Sequence, residues 1–275
     1  ESEQKKQYDR LAATVERKAR NFEIRSARKL IFNAVENNAP DIDFPSKLAL
    51  LKKKIVQDLK QPIPDLLTDE IPETASFEAQ HIRNVLKRMP RQAAACVEGW
   101  NSKIMIDVIE VLPAIADMLG QFCAEIVNEK FGDRFYAILR LGRLVGIPKP
   151  EETQAVRPIT LSSFFAKLTG AAIWLNSLAT IKIDDQFGIG VRDGAARIVH
   201  NVRNEAQAGL AIVRIDVSNA FPTAQRAIIA DILLNDPKYK DMHDVRRYFN
   251  IMSGKAADLA VYGPEQHTEF INVAE

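Results

Sequence analysis

The first third of the chain mixes charged and apolar positions with a helical period. Leu11, Val15, Phe22, Ile24, Leu30, Ile31 and Val35 recur among charges at roughly helical spacing, which predicts helix. The run Asn37-Asn38-Ala39-Pro40 ends that segment, because asparagine and proline both punctuate helices. A second helix is expected over 46–59, with Pro62 and Pro64 breaking the chain after it. A third is expected to begin near Ser76, a residue type suited to N-capping, and to carry Ile82, Val85 and Leu86 on one face. Residues 102–128 continue in helical pattern, with Pro113 marking a kink or a boundary.

After that the pattern changes. Apolar and basic residues nearly alternate over 135–145, which predicts a strand, and 155–161 reads as another. Ser162-Ser163 is then expected to cap an apolar helix running to about Thr180. Residues 210–217, Leu-Ala-Ile-Val-Arg-Ile-Asp-Val, read as a β-rich strand that ends in a carboxylate. Pro222 suits the opening position of a following helix. Near the end, 257–262 and 269–274 flank Gly263-Pro264 and predict a β-hairpin. Helices first and mixed elements afterwards imply an α+β fold class and not a doubly wound sheet.

Composition changes this picture little. At 275 residues with 47% hydrophobic positions, the chain can bury a substantial core and is not globally disordered. No apolar run reaches the ~20 residues of a membrane span, and no signal peptide is recognisable, so no membrane partner is expected. Cys96 and Cys123 lie far apart without metal-binding spacing, which suits a reducing compartment. The formal net charge of +1 hides an uneven layout: residues 1–60 hold 14 Lys/Arg against 9 Asp/Glu. Clusters such as Lys52-Lys53-Lys54 suit either the solvated face of a helix or contact with phosphates. Charge alone leaves both open.

The most informative block is Asp216-Val217-Ser218-Asn219-Ala220-Phe221. An acidic residue at the end of an apolar strand, followed by a turn of small residues into a helix, makes a sensible metal site. The strand fixes the carboxylate, and the turn can offer backbone N–H groups to phosphates. The alternative is an aspartate that caps the helix starting near Pro222.

From about Phe77 onward the chain resembles reverse transcriptases of the non-LTR retrotransposon type. Met89-Pro90-Arg91-Gln92-Ala93-Ala94-Ala95-Cys96-Val97-Glu98-Gly99-Trp100 is similar to the fingers stretch Lys-x-Pro-Gly-x-Asp-Gly, with Glu98 where that motif has Asp and Cys96 where it has Gly. Gly146-Ile147-Pro148-Lys149-Pro150 and Val156-Arg157-Pro158-Ile159-Thr160-Leu161 follow, with Lys167 in the next helix. Gln186-Phe187-Gly188 comes next, with Gly190 and Gly194 behind it, and 216–221 resembles the first palm motif. The blocks occur in the family's order.

The helical pattern and basic bias make residues 1–75 a basic helical N-terminal extension, and the resemblance implies the fingers and first part of the palm of a right-hand polymerase over 76–275. It implies an RNA-directed DNA polymerase of a mobile element, with dNTP as substrate and an RNA template and DNA primer as partners. Asp216 would be a catalytic, metal-binding aspartate, with the Val217 carbonyl near a Mg2+ ion of a two-metal site. Asn219 and Ala220 would offer backbone N–H groups to the triphosphate, and Phe221 would exclude a ribose 2′-hydroxyl. Lys149 and Arg157 would grip the incoming triphosphate, Lys as a point charge and Arg as a planar fork. Work on target DNA implies a nuclear location.

Two family blocks are missing from these residues: Gly-x-x-Gln-Gly, and an aromatic-x-Asp-Asp downstream of Asp216. Asp184-Asp185 precede the first palm motif and read as a loop or cap. One aspartate cannot hold two divalent cations, so these residues alone are expected to be an incomplete and inactive part of a polymerase. Two other readings compete with it: a non-catalytic relative kept as a scaffold or RNA-binding component of a ribonucleoprotein, and an unrelated helical nucleic-acid-binding or interaction protein. A dinucleotide-binding loop fits poorly, because Gly188-x-Gly190-x-x-x-Gly194 has the wrong spacing and no clear strand before it.

Overall fold

The computed structural model describes residues 12–14, 16, 42–55, 75–91, 98–148, 155–177, 186–188, 191–217, 224–239, 241–263 and 267–273. Its elements are helices α1 (Phe44–Ile55), α2 (Ala79–Arg88), α3 (Ser102–Val111), α4 (Ile115–Val127) and α5 (Asp133–Arg140), strands β1 (Gly142–Pro148) and β2 (Val156–Leu161), helices α6 (Phe164–Ser177), α7 (Gly194–Gln207), α8 (Arg226–Asn235) and α9 (His243–Ser253), and strands β3 (Ala257–Tyr262) and β4 (Thr268–Val273). The fold is mixed α and β, with a four-stranded sheet of order β2-β1-β3-β4. Among the described residues no helix is long and apolar enough to cross a membrane. The chain divides into two units, each assembled from separated stretches: 1–56, 143–161 and 259–271 in the first, and 57–142, 162–258 and 272–275 in the second.

In the first unit, α1 packs on β2. β1 and β2 pair antiparallel with Arg143 opposite Leu161 and Ile147 opposite Arg157. Leu51 from α1, Leu144 from β1 and Val156 from β2 are fully or almost fully buried. The Lys52-Lys53-Lys54 cluster splits in role. Lys52 and Lys53 are exposed, whereas half-buried Lys54 donates from Nζ to the Val156 carbonyl at 2.6 Å. All three sit in the last turn of α1, where cations offset the helix dipole.

The second unit is built on α2, α4 and α6, which pack on one another. Ile82, Val85 and Leu86 form the buried face of α2, as their spacing predicts, and meet Leu119, Cys123, Phe164 and Leu168. A smaller aromatic cluster joins Phe122 to Phe131, Phe135 and Phe165 at ring separations of 5.4–5.9 Å, in the edge-to-face geometry that aromatic quadrupoles favour. Burial raises the Cys123 thiol to about 11, and burial likewise raises the Tyr248 phenol, whose OH donates to the Ala166 carbonyl.

Several expected elements differ. Residues 135–140 are helical and not strand, because Tyr136 and Leu139 are buried three apart while Ile138 is exposed. The helix expected at Ser76 begins at Ala79, with Glu78 at its N-cap and no side-chain capping bond. Pro113 falls at a true boundary: α3 ends at Val111 and α4 starts at Ile115. Ser163 sits at the start of α6 as expected, with Oγ accepting from Ala166 N at 3.5 Å. The helix expected from Pro222 begins at Arg226, and Pro222 itself lies outside the described residues. Helix α7 was not anticipated. Residues 210–217 form no strand and are treated below.

Candidate functional site

Arg157 belongs to the β1–β2 hairpin. The last strand pair is Pro148 opposite Val156, and Arg157 is exposed one residue further along β2, opposite Ile147. Arg157 is therefore presented to solvent beside the end of the hairpin where Pro148 pairs with Val156, and it has no carboxylate partner among the described residues. Lys149 lies outside the described residues, as do Asn219, Ala220 and Phe221, and Asp184-Asp185.

Asp216 and Val217 stand on an extended segment and not on a strand. No strand pairing is formed by 210–217 among the described residues, and every residue of the segment is exposed. Val213 is 77% and Ile215 84% exposed, so the apolar pattern here does not mark burial. The physical reason is that a strand needs a ladder partner, and an alternating pattern supplies side chains but no hydrogen bonds. The Asp216 carboxylate accepts its own neighbour's N–H, Val217 N to Oδ1 at 3.0 Å. It does not cap α8, whose N-cap is Gln225.

Magnesium holds several oxygen ligands in near-octahedral order. Among the described residues no group of three or more His, Cys, Asp or Glu is placed to hold a metal ion. One exposed carboxylate is by itself too few ligands for a two-metal site, and no metal-dependent step is assigned to the described residues.

The fingers-like block around residue 98 has a clear local role. The Glu98 carboxylate accepts the N–H of Phe164 at the first turn of α6, where a helix leaves its N–H groups unpaired. Gly99 follows at φ +77°, a left-handed conformation that favours glycine. Asn101 caps α3 by accepting from Ile104 N at 3.0 Å, and Ser102 Oγ donates to the Pro90 carbonyl at 2.8 Å. These bonds tie Pro90 to Ser102 and Glu98 to the start of α6. The second oxygen of Glu98 is buried without a partner among the described residues.

The Gln186-Phe187-Gly188 block folds on itself and on α7. Gly188 N donates to Gln186 Oε1 at 3.0 Å. A Cβ at Gly194 would sit 1.7 Å from the Phe187 carbonyl oxygen, so the first residue of α7 has to be glycine for this approach. Asp193, just before it, holds φ 56° without using its side chain as a cap.

Sequence reasoning missed a cleft of about 420 Å³ in the first unit, lined by residues 42–44, Lys47, 143–146 and 261–263. The Arg143 guanidinium lies 5.0 Å from the Tyr262 ring centroid, within cation–π range. The only early signal was the basic bias of residues 1–60, which names neither Arg143 nor Tyr262. No family model matches the chain, and no curated protein does.

Proposed function

We propose that the chain is the fingers and first palm segment of an RNA-directed DNA polymerase from a mobile element, working on an RNA template, a DNA primer and dNTP. The observation that carries this reading is the ordered set of motifs between Met89 and Phe221. Its support in the fold is the β1–β2 hairpin, because Gly146-Ile147-Pro148 of one block pairs with Val156-Arg157-Pro158 of the next, and Arg157 is exposed there. On this reading Arg157 and Lys149 grip the triphosphate, Asp216 and Val217 contribute to the metal centre, and Asn219, Ala220 and Phe221 contact the nucleotide.

The second reading, an RT-like scaffold or RNA-binding component of a ribonucleoprotein, is favoured by one observation. Asp216 is exposed and has no converging carboxylates among the described residues. Two measurements decide. The 275 residues alone are expected to show no template-dependent dNTP incorporation with Mg2+, and processive synthesis by them would contradict the incomplete-site argument. Any coding sequence past Glu275 is expected to carry Gly-x-x-Gln-Gly and then aromatic-x-Asp-Asp. With that continuation present, Asp216→Asn should abolish incorporation. A continuation lacking both blocks, or a fully active Asp216→Asn chain, would favour the scaffold.

A further inference from the structure

The cleft in the first unit is assembled by two close backbone approaches. A Cβ on Gly263 would lie 2.9 Å from two ring carbons of Phe44, so the ring rests directly on that backbone. Phe44 also meets the His267 ring edge-on at 5.9 Å, and Gly263 N donates to the His267 carbonyl at 2.8 Å. On the other side a Cβ on Gly146 would meet Lys47 Cγ at 3.2 Å. The aliphatic stem of Lys47 thus passes close over Gly146 of β1, and Lys47 lines the cleft.

Charge inside the cleft is unbalanced. Lys47 and Arg143 are both half-buried, and neither forms an ion pair with a carboxylate among the described residues. The acid in the lining, Asp43, is committed elsewhere: its Oδ1 accepts Ser46 N at 2.9 Å at the first turn of α1. The Ser46 side-chain and backbone hydrogen bonds hold its carboxyl below the usual carboxylate range. Two half-buried cations against one exposed carboxylate leave the lining net positive, which favours an anion entering between Lys47 and Arg143.

We propose that this cleft binds a single-stranded nucleic-acid segment, with a backbone phosphate on Lys47 and Arg143 and a base against the rings beside them. Lys and Arg are complementary phosphate binders, one a point charge and the other a planar fork. Tyr262 is 44% exposed, and its ring and the Arg143 guanidinium 5.0 Å from the ring centroid are the planar groups against which a base would stack beside the phosphate grip. The cleft falls in the size range of small-ligand sites, enough for a nucleotide unit and not for a duplex. The ligand class rests on the nucleic-acid-handling reading above, whereas the site is independent of Asp216, Arg157 and Lys149.

The test uses the whole chain and fluorescence anisotropy with 5′-labelled octauridylate, with octadeoxythymidylate and UMP as further arms. Lys47→Gln and Arg143→Gln should each weaken octamer binding about three- to tenfold and lower the log–log salt slope by about 0.7, the loss of one single-strand phosphate contact. Lys103→Gln, an exposed cation of α3, removes the same charge in the second unit and should leave binding unchanged. A 4-thiouridine octamer should crosslink within 42–47 or 261–263. Equal losses in all three variants, crosslinks confined elsewhere, or UMP binding as tightly as the octamer would each overturn the proposal. If Arg143→Gln fails to fold by circular dichroism, Lys47→Gln and the crosslink map decide. Loss of the cleft effect leaves the polymerase reading standing, and absence of the downstream palm blocks leaves the cleft standing. Affinity for octauridylate and octadeoxythymidylate alike fits a phosphate-and-base site; binding of neither refutes it.

Discussion

Gly120 sets two physical effects against each other, and the structure decides which wins. It lies inside α4, where alanine is the better helix former by about 1 kcal/mol, so propensity alone predicts that Gly120→Ala stabilises. Packing predicts the reverse. A Cβ at Gly120 would sit 2.1 Å from the Phe77 carbonyl oxygen, 3.2 Å from its carbon and 3.6 Å from Ile82 Cγ1. The obstacle is backbone and not the end of a flexible side chain. Phe77 is buried at 6% exposure and its ring stacks on His81, so retreat of that carbonyl drags a core residue with it. Overpacking of this kind costs about 1–3 kcal/mol, and a backbone obstacle places it toward the upper end, so the net change is a loss of about 1–2 kcal/mol after the propensity gain. Urea unfolding followed by far-UV circular dichroism should show a lower midpoint with an unchanged slope for the second unit. Gly188→Ala, where a Cβ meets nothing within 4 Å, is the control and should move the midpoint little. A Gly120→Ala chain as stable as the parent or more so would refute the argument that α4 is seated against the Phe77 carbonyl.

Two other outcomes follow from burial and hydrogen bonding. With its thiol raised to about 11 by burial, Cys123 should resist alkylation at pH 8 in a Cys96→Ser background until the second unit unfolds; labelling of the native chain at the rate of a free thiol would contradict its burial. Lys54→Met keeps the aliphatic stem but deletes the ammonium that donates to the Val156 carbonyl, and should cost the first unit about 1–2 kcal/mol. Hydrogen exchange of β2 reads it, and unchanged protection there would show that the bond does not hold α1 to the hairpin.

Local pattern was a good guide wherever one element both forms and buries its own face. The Ile82, Val85 and Leu86 spacing named the core side of α2, and the strand at 156–161 and the strand pair around Gly263 were legible from alternation and turn residues. Over 135–140 alternation misled: Leu139-Arg140-Leu141 alternates, but Phe135, Tyr136, Ile138 and Leu139 follow the helical spacing, whereas 142–145 are strand as expected. Burial of Tyr136 with Leu139 fits only the helical one. Asp133 in the first turn was the available cue. Helix α7 carried a cue as well: Ala195, Ile198, Val199, Val202 and Ala206 fall on one helical stripe. Yet Ile198, Val199 and Val202 are 40–50% exposed, so the stripe is present without the burial that normally accompanies it.

Residues 210–217 show why the candidate metal site was the hardest part to read. Their β-branched run satisfies the strand pattern, but strand is a relation between two stretches of backbone, and the pattern describes only one of them. Asp216 inherits that dependence. A carboxylate becomes a metal ligand through the second and third groups that meet it, and those come from other parts of a chain. The cleft in the first unit makes the same point from the other side: Lys47, Arg143 and Tyr262 lie on α1, β1 and β3, far apart in sequence, and no motif joins them. What brings them together is the seating of Phe44 on Gly263 and of the Lys47 stem on Gly146. Glycine there acts by leaving room. That makes the chemistry of the cleft a product of packing, accessible only once the strands and the helix have been placed.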